Sequence, residues 1–297
     1  MRYAAIDIGS NAVRLLIADL TDNDGVISFK KNTLIRVPLR LGDNAFLDHF
    51  ISDKKSEDLI KTMISFRNLM DVYKVTDYMA CATSALREAE NGAVLVKQIK
   101  DLANIDLEII EGQKEANIIY SSHIEQTLDR NKNYLYIDVG GGSTELSVFC
   151  NGQMLASKSF DLGTIRILDN QDKDETWDSL KEWLKAETKN FKSLSGIGTG
   201  GNINRLFKLS EEKEGSPLSY TKLKTLFNYL NSYSLKDRIN VLGLNQDRAD
   251  VIIPASEIFL TIMKWANIKN IYVPKVGLVD GIIQVLIEKN LHHKKPI

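Results

Sequence analysis

The sequence predicts an α/β protein made of two related halves, each with a mixed sheet that opens as a three-stranded antiparallel meander. The first observation behind this prediction is a glycine-turn hairpin that occurs twice, over residues 6–17 and over residues 137–148. Aligned without gaps, both copies carry an Ile-Asp pair, a glycine and a leucine. The second observation is the order β-β-β-α-β-α-β-α, which the predicted elements follow twice along the chain.

In the first half, the hairpin is followed by a turn over residues 22–25 and by alternating strands and helices. We predict a third strand near 26–31, a helix over 54–73, a strand over 78–83, a helix over 91–103, a strand over 107–110 and a helix over 113–125. The polar stretch 129–133 is expected to separate the halves. Lobe I is thus expected to span 1–128, completed by a C-terminal helix over about 277–297, and lobe II to span 129–276.

In the second half, Asn151-Gly152 is a strong signal for a two-residue hairpin turn, which predicts a third strand over 155–160. The elements predicted after it are a helix over 176–190, a strand over 194–197, a helix from 202, two or three further helices ending near 267, a strand over 270–273 and a last helix over 278–289. This half therefore repeats the plan of the first.

Composition excludes several classes of protein. The formal net charge is −1, so no overall basic character draws the chain to nucleic acid or to a membrane surface. No apolar run reaches the roughly 18 residues of a membrane span, and nothing at the N-terminus resembles a signal peptide. Cys81 and Cys150 lie in apolar, strand-like stretches and are expected to be buried free thiols. A cytoplasmic protein without nucleic-acid or membrane partners is expected, with a homodimer left open.

Three glycine clusters are candidate phosphate-binding turns, because glycine lets backbone N–H groups converge on an anion. They cover residues 7–11, 138–144 and 198–202, and the third precedes a predicted helix. An Asp at the strand end, as at Asp7 and Asp138, can hold a hydrated divalent cation beside the anion. A tight turn is the better explanation of any single cluster, but three clusters together favour a phosphate site that two lobes share. The Walker-A pattern is missing from the sequence, which disfavours a P-loop enzyme.

Arg87 and Glu115 are further candidates outside the glycine clusters. Arg87 follows a strand that ends in a Thr-Ser turn, and arginine suits two-pronged phosphate contact. A surface ion pair with Glu88 or Glu90 is the alternative. Glu115 lies at the start of a predicted helix and could deprotonate a water. The alternative is an ordinary first-turn glutamate that complements the helix dipole. On residue identity alone the ion pair is the commoner case for Arg87, and the pattern alone does not decide between the two roles of Glu115.

Six segments together resemble the exopolyphosphatase/guanosine pentaphosphate phosphohydrolase family, within the superfamily of actin, sugar kinases and heat-shock chaperone ATPases. The strings Asp-Val-Gly-Gly-Gly-Ser-Thr-Glu (138–145) and Thr-Ser-Ala-Leu-Arg-Glu-Ala (83–89) are the most specific. The other matching segments are 5–11, 40–42, 109–116 and 248–250. The resemblance covers residues 4 to about 281. It implies two ribonuclease-H-like (actin-like) lobes with a cleft between them.

The resemblance also implies roles for individual residues. Glu115 matches the catalytic base that activates the attacking water, Asp138 matches the acid that supports the metal or the water, and Arg87 matches a phosphate-binding arginine. The expected metal-binding residues are Asp7, Asp138 and Glu145, with Mg²⁺ or another divalent cation as the cofactor. The expected phosphate-binding residues are Ser10, Asn11, Gly140, Gly141, Gly142, Ser143, Thr144, Gly200 and Gly201.

The expected function is an exopolyphosphatase that releases orthophosphate from the end of inorganic polyphosphate. A guanosine pentaphosphate 5′-phosphohydrolase presents the same anhydride chemistry and is the first alternative. A phosphate- or nucleotide-binding regulatory protein with weak turnover is the second, since Lys114 replaces a glutamate that is usual in the family beside the base. An ATP-dependent kinase or actin-like ATPase that uses residues 198–201 is the third. Long members carry extra helical domains after the core that this chain matches.

Overall fold

The chain forms two compact units. A computed structural model describes residues 1–23, 26–122, 129 and 132–293. Unit 1 consists of Met1–His123 and Val276–Ile297, and unit 2 consists of Ile124–Lys275. The stretch 129–133, expected to separate the halves, includes residues 130 and 131, which lie outside the described residues. Each unit contains one mixed sheet with helices, which confirms the predicted α/β fold.

The sheet of unit 1 has five strands in the order β3-β2-β1-β4-β5. The strands are β1 (Arg2–Ile8), β2 (Val13–Asn23), β3 (Val26–Val37), β4 (Asp77–Ala82) and β5 (Leu107–Ile109). The first three pair antiparallel, whereas β4 pairs parallel with β1 and with β5. The predicted meander is confirmed, although β3 continues six residues beyond its predicted end. The turn predicted over 22–25 includes residues 24 and 25, which lie outside the described residues.

Five helices are described beside this sheet in the first part of unit 1, residues 1–23 and 26–122. They are α1 (Gly42–Ala45), α2 (Asp53–Val72), α3 (Ser84–Glu88), α4 (Gly92–Ala103) and α5 (Gly112–Tyr120). The long helices α2 and α4 lie close to their predicted bounds. The short helices α1 and α3 have four and five residues, too few for an apolar period to show in the sequence. Residues 123–125 of the helix predicted over 113–125 lie outside the described residues.

The sheet of unit 2 has six strands in the order β10-β11-β9-β6-β7-β8. They are β6 (Tyr134–Val139), β7 (Thr144–Cys150), β8 (Gln153–Phe160), β9 (Ser195–Thr199), β10 (Leu218–Ser219) and β11 (Asn270–Tyr272). Asn151 and Gly152 have φ angles of 52° and 77°, so the two-residue hairpin turn forms as predicted. Like the first sheet, this one therefore opens with a three-stranded meander.

Seven helices of unit 2 are described. They are α6 (Thr164–Leu168), α7 (Asp174–Thr188), α8 (Gly201–Leu209), α9 (Tyr220–Asn231), α10 (Leu235–Asn240), α11 (Gln246–Ala249) and α12 (Ile252–Trp265). Four helices follow α8, so the prediction of two or three was too low. Both α10 and α11 are short, with six and four residues, too few for an apolar period to show in the sequence. The apolar face of α12 and the inner faces of β6 and β7 share one buried core.

The last helix, α13 (Leu278–His293), completes the core of unit 1. Its residues Ile282 and Ile283 are fully buried in a cluster with Tyr3 and Ala5 of β1. At Gly281 a Cβ atom would lie 1.8 Å from the carbonyl oxygen of Ile118 in α5, so only glycine allows this approach. One face of the unit 1 sheet is thus covered by α5 and α13, two helices that lie far apart in the sequence.

Both cysteines are free thiols, as predicted. Cys81 is fully buried in β4, but Cys150 is only half-buried because it ends β7 at the hairpin turn. Within residues 1–23, 26–122, 129 and 132–293, no helix has the length and apolar character needed to cross a bilayer.

Candidate active-site residues in each unit

Two acidic residues stand side by side in the sheet of unit 2. Asp138 of β6 and Glu145 of β7 are direct partners in the antiparallel register. Thr199 Oγ1 donates a hydrogen bond of 2.8 Å to Asp138 Oδ2, and Ser159 Oγ donates one of 2.8 Å to Glu145 Oε1. Glu145 is only 4% exposed. Adjacent carboxylates repel each other, and the hydroxyls on their outer sides fix their orientation, which suits the binding of a cation.

The second glycine turn follows Asp138 directly. It is closed by a hydrogen bond of 2.9 Å from the N–H of Gly140 to the carbonyl of Ser143. Three turn carbonyls accept hydrogen bonds from the start of α6. The donors are Thr164 N–H to Gly140 O at 3.1 Å, Ile165 N–H to Gly141 O at 2.8 Å and Arg166 Nε to Gly142 O at 2.6 Å. Thr144 is fully buried and its hydroxyl donates to Leu162 O at 2.6 Å, so its side chain supports this packing.

The residue before α6, Gly163, lies against the turn. A Cβ atom on Gly163 would be 2.3 Å from Gly141 O and 2.5 Å from Gly142 N, inside any allowed contact. The φ angle of Gly163 is −145°, which other residues adopt freely, so the constraint here is space alone.

Gly163→Ala is expected to displace the second glycine turn. We expect the affinity for orthophosphate to fall by about tenfold or more, and the free energy of unfolding to fall by about 1–3 kcal/mol from overpacking. Titration calorimetry with orthophosphate and thermal denaturation measure the two effects. The control is Gly277→Ala, where nothing lies within 4 Å of the new Cβ atom. Equal phosphate affinity in the two variants would contradict the expected displacement.

The third glycine cluster lies beside the same aspartate. Gly200 has a φ angle of 92°, and a Cβ atom there would lie 2.8 Å from Asp138 Oδ1. Both the left-handed backbone and the close carboxylate therefore require glycine at this position. Gly201 begins α8, and its carbonyl accepts a hydrogen bond of 2.8 Å from Arg248 Nη1. The structure thus brings Gly200, Asp138 and Glu145 together at one end of the sheet of unit 2.

In unit 1, the two residues that correspond to Asp138 and Glu145 carry opposite charges. Asp7 of β1 faces Arg14 of β2 in the register and forms an ion pair with it. In the alignment of the two hairpins, Arg14 stands where unit 2 has Glu145. Arg14 neutralises Asp7, whereas Asp138 faces a second acid. Asp7 is therefore a weaker candidate metal ligand than Asp138.

The first glycine turn is also tied back through its carbonyls. Ser10 O accepts a hydrogen bond of 2.9 Å from Gly42 N–H, and Asn11 O accepts one of 3.0 Å from Arg40 N–H. Ser10 is buried, and its Oγ lies 2.9 Å from Ser84 Oγ at the start of α3. The segment 40–42 thus supports the turn that carries Ser10 and Asn11.

The side chain of Arg87 in α3 is held against the segment that leads into α5. Its Nη1 donates a hydrogen bond of 2.9 Å to the carbonyl of Ile110, and its Nε lies 3.8 Å from Glu111 Oε2. The Arg87 side chain is 18% exposed. One edge of the guanidinium is therefore used structurally, and phosphate binding by Arg87 stays a prediction.

Glu115 lies in the first turn of α5 and is half-buried. The neighbouring Lys114 forms an ion pair with Glu108 of β5, at 2.5 Å between Nζ and Oε1.

Cys81 of β4 lies between two acidic residues in the sheet, because it is in register with Glu108 of β5 and with Asp7 of β1. Burial, with a contribution from Glu108 and Asp7, raises the pKa of the Cys81 thiol to about 12. Cys81 therefore stays protonated at neutral pH and is excluded as a nucleophile.

Among the described residues, no group of three or more His, Cys, Asp or Glu side chains could hold a metal ion. Asp138 and Glu145 form a pair, which suits Mg²⁺ because this ion usually keeps several waters and takes one or two carboxylates together with substrate phosphates. Residues that sequence reasoning missed here are Thr199, Gly163 and Arg166. A signal that could have pointed to Arg166 is its place three residues after a glycine that follows a strand.

The structure is similar to that of an exopolyphosphatase from Cytophaga hutchinsonii. The TM-score is 0.84 at 24% sequence identity, over 97% of this chain and 98% of that one. This similarity confirms the two-lobed α/β fold.

Three curated relatives are similar in sequence. A bifunctional 3-dehydroquinate synthase/phosphatase of Fusobacterium nucleatum is 30% identical over 88% of this chain and 43% of that protein. A guanosine-5′-triphosphate,3′-diphosphate pyrophosphatase of Aliivibrio fischeri is 24% identical over 98% of this chain and 60% of that protein. Exopolyphosphatase 1 of Mycobacterium tuberculosis is 23% identical over 95% of this chain and 87% of that protein. The chain thus spans 43% and 60% of the lengths of the first two relatives.

A family profile decides the assignment. The profile described as the Ppx/GppA phosphatase family matches residues 33–290, which include Arg87, Glu115 and the second and third glycine clusters. The match covers well over half of the chain. This chain therefore belongs to the Ppx/GppA phosphatase family.

Proposed function

We propose that this protein is an exopolyphosphatase, which hydrolyses the terminal phosphoanhydride of inorganic polyphosphate and releases orthophosphate. The observation that carries the proposal is the carboxylate pair Asp138–Glu145 on two strands joined by a glycine turn, three of whose carbonyls bind to the start of α6. A terminal phosphate needs N–H donors for its oxygens and a cation for its charge, and this arrangement provides for both.

The residues divide the reaction between them. The N–H groups of Gly141, Gly142 and Ser143 bind oxygens of the terminal phosphate. Glu115 accepts the proton of the attacking water and orients it in line with the bond that breaks. Mg²⁺ held by Asp138 and Glu145 would offset the negative charge that develops on the leaving oxygen. We also assign Arg87 to a phosphate further along the substrate, through the edge of its guanidinium that does not bind Ile110.

A guanosine pentaphosphate 5′-phosphohydrolase is the second candidate function. The observation that favours it is the similarity to the Aliivibrio fischeri pyrophosphatase over 98% of this chain. The same residues would act on the same kind of anhydride, so only the group beyond the scissile bond differs. Of the three relatives described above, the exopolyphosphatase is the one whose length this chain covers most fully, at 87%. We therefore favour polyphosphate as the substrate.

A binding protein with weak turnover is less well supported. That alternative depends on Lys114 lowering the basicity of Glu115. The Lys114 ammonium lies 2.5 Å from a carboxylate oxygen of Glu108, and the opposite charge of Glu108 offsets part of the electrostatic effect of Lys114 on neighbouring groups. The departure from the family at Lys114 is therefore compatible with an active base.

One assay tests the proposed function. Phosphate release is measured from short polyphosphate, long polyphosphate, guanosine pentaphosphate and ATP at equal anhydride concentration, with Mg²⁺ and with a chelator. We expect polyphosphate to have the highest kcat/KM and the chelator to remove the activity. Faster release from guanosine pentaphosphate would establish the second candidate instead. No release from any substrate would overturn the proposal.

A further inference from the structure

Three carbonyls of the second glycine turn point the same way. Gly140, Gly141 and Gly142 each give their carbonyl oxygen to a donor at the start of α6. In a trans peptide the C=O and the following N–H point in opposite directions. Because these three carbonyls face α6, the N–H groups of Gly141, Gly142 and Ser143 face away from it. The turn therefore presents three consecutive donors on one side.

The third of these carbonyls is held by a side chain. Backbone N–H groups of Thr164 and Ile165 bind the first two, but Arg166 Nε binds Gly142 O at 2.6 Å. Arg166 is only 8% exposed, so its positive charge lies buried behind the turn. A hydrogen bond from a charged donor is roughly twice as strong as a neutral one. The peptide between Gly142 and Ser143 thus depends on one arginine for its orientation.

The consequence concerns the phosphate. If this peptide turned over, its carbonyl oxygen would face the phosphate oxygens and repel them, and one N–H donor would be lost. Turning this peptide over changes ψ of Gly142 and φ of Ser143, and only the glycine angle is free of side-chain restriction. The hydrogen bond from Arg166 therefore adds to the restriction at Ser143 by fixing the peptide on its Gly142 side.

We propose that Arg166 is a positioning residue for the phosphate-binding turn: it holds the Gly142–Ser143 peptide with its N–H towards the terminal phosphate. The inference rests on the proposed function, because it takes this turn as the phosphate site. Arg248 makes the same kind of contact with Gly201 O at 2.8 Å in the third glycine cluster. A backbone carbonyl that accepts a hydrogen bond from an arginine side chain thus occurs at both glycine clusters of unit 2.

The test compares Arg166→Met and Arg166→Lys with a matched control, Arg238→Met. Arg238 also binds carbonyls within unit 2, at Leu230, Tyr233 and Ala249, but these lie outside the glycine clusters. We expect Arg166→Met to raise the KM for polyphosphate and the inhibition constant of orthophosphate by about tenfold or more. Arg166→Lys should recover part of this loss. Arg238→Met should change either constant less than about twofold, even if it lowers the melting temperature as much as Arg166→Met does.

Hydrogen exchange of the free protein gives a readout that needs no hydrolysis. The amides of Gly140, Thr164 and Ile165, which donate the backbone hydrogen bonds that hold the turn, should exchange faster in Arg166→Met than in Arg238→Met, both measured without substrate. Unchanged exchange and unchanged orthophosphate affinity in Arg166→Met would overturn the proposal. So would an equal loss in the Arg238→Met control. Absence of polyphosphate hydrolysis by the unmodified protein would instead overturn the proposed function, while exchange and orthophosphate binding still decide the role of Arg166.

Discussion

Replacing Glu115 with glutamine is expected to slow phosphate release from polyphosphate by about 10²–10⁴-fold, the range that a general base usually contributes. Glutamine has nearly the same size and keeps a hydrogen-bonding oxygen, but it cannot accept the proton of the attacking water. The loss should therefore appear in kcat, with the KM nearly unchanged, because the base acts in the transition state. Steady-state kinetics and circular dichroism measure activity and fold in parallel.

The matched control for this prediction is Glu111→Gln. Glu111 precedes α5, its side chain is 81% exposed, and its nearest ion-pair contact is the 3.8 Å approach to Arg87. We expect this variant to keep its rate within about twofold. A Glu115→Gln variant that releases phosphate as fast as the control would exclude Glu115 as the base.

Glu145→Gln is expected to raise the Mg²⁺ concentration needed for half-maximal activity by at least about 10–100-fold, a range seen even for outer-shell changes at metal sites. The substitution removes one of the two adjacent carboxylates while keeping the hydrogen bond from Ser159 possible. Activity at low Mg²⁺ should therefore fall steeply, and high Mg²⁺ should restore part of it. Titration of the rate with Mg²⁺ measures the effect.

Asp161→Asn serves as the control for Glu145. Asp161 follows β8 in the same unit and is exposed, so its change alters charge without touching the carboxylate pair. An Mg²⁺ requirement that stays the same in Glu145→Gln would show that Glu145 is not a ligand. A similar change in Asp161→Asn would show that only the overall charge of the surface matters.

Much of the fold followed from local patterns. The hairpin at Asn151-Gly152, the repeated Ile-Asp-x-Gly turn and the long periodic helices α2 and α7 are encoded within short stretches, and all are present. Once the hairpins are placed, the register also pairs Asp7 with Arg14 and Asp138 with Glu145. The opposite charges of Arg14 and Glu145, which occupy the same position in the two hairpins, could have been read from the aligned sequences.

The supports of the site could not be predicted in the same way. Thr199 is 61 residues from Asp138 along the chain, and Arg87 is 23 residues from the carbonyl of Ile110 that it binds. The helix α6 has five residues, so it leaves no apolar period in the sequence. The steric need for Gly163 also arises only from packing against the turn. Long-range contacts and short elements therefore account for what sequence reasoning missed.

The position of α13 has a consequence for the order in which the protein folds during synthesis. Residues 276–297 belong to unit 1 although they follow all of unit 2. Until Ile282 and Ile283 leave the ribosome, one apolar face of β1 lacks the cover that α13 provides, whereas unit 2 has its complete sequence by residue 275. The second unit should therefore be able to fold first, which reverses the usual N-terminal-first order. A chain that ends at residue 275 is expected to show a protease-resistant unit 2 beside a protease-sensitive unit 1, and equal resistance of both would contradict this order.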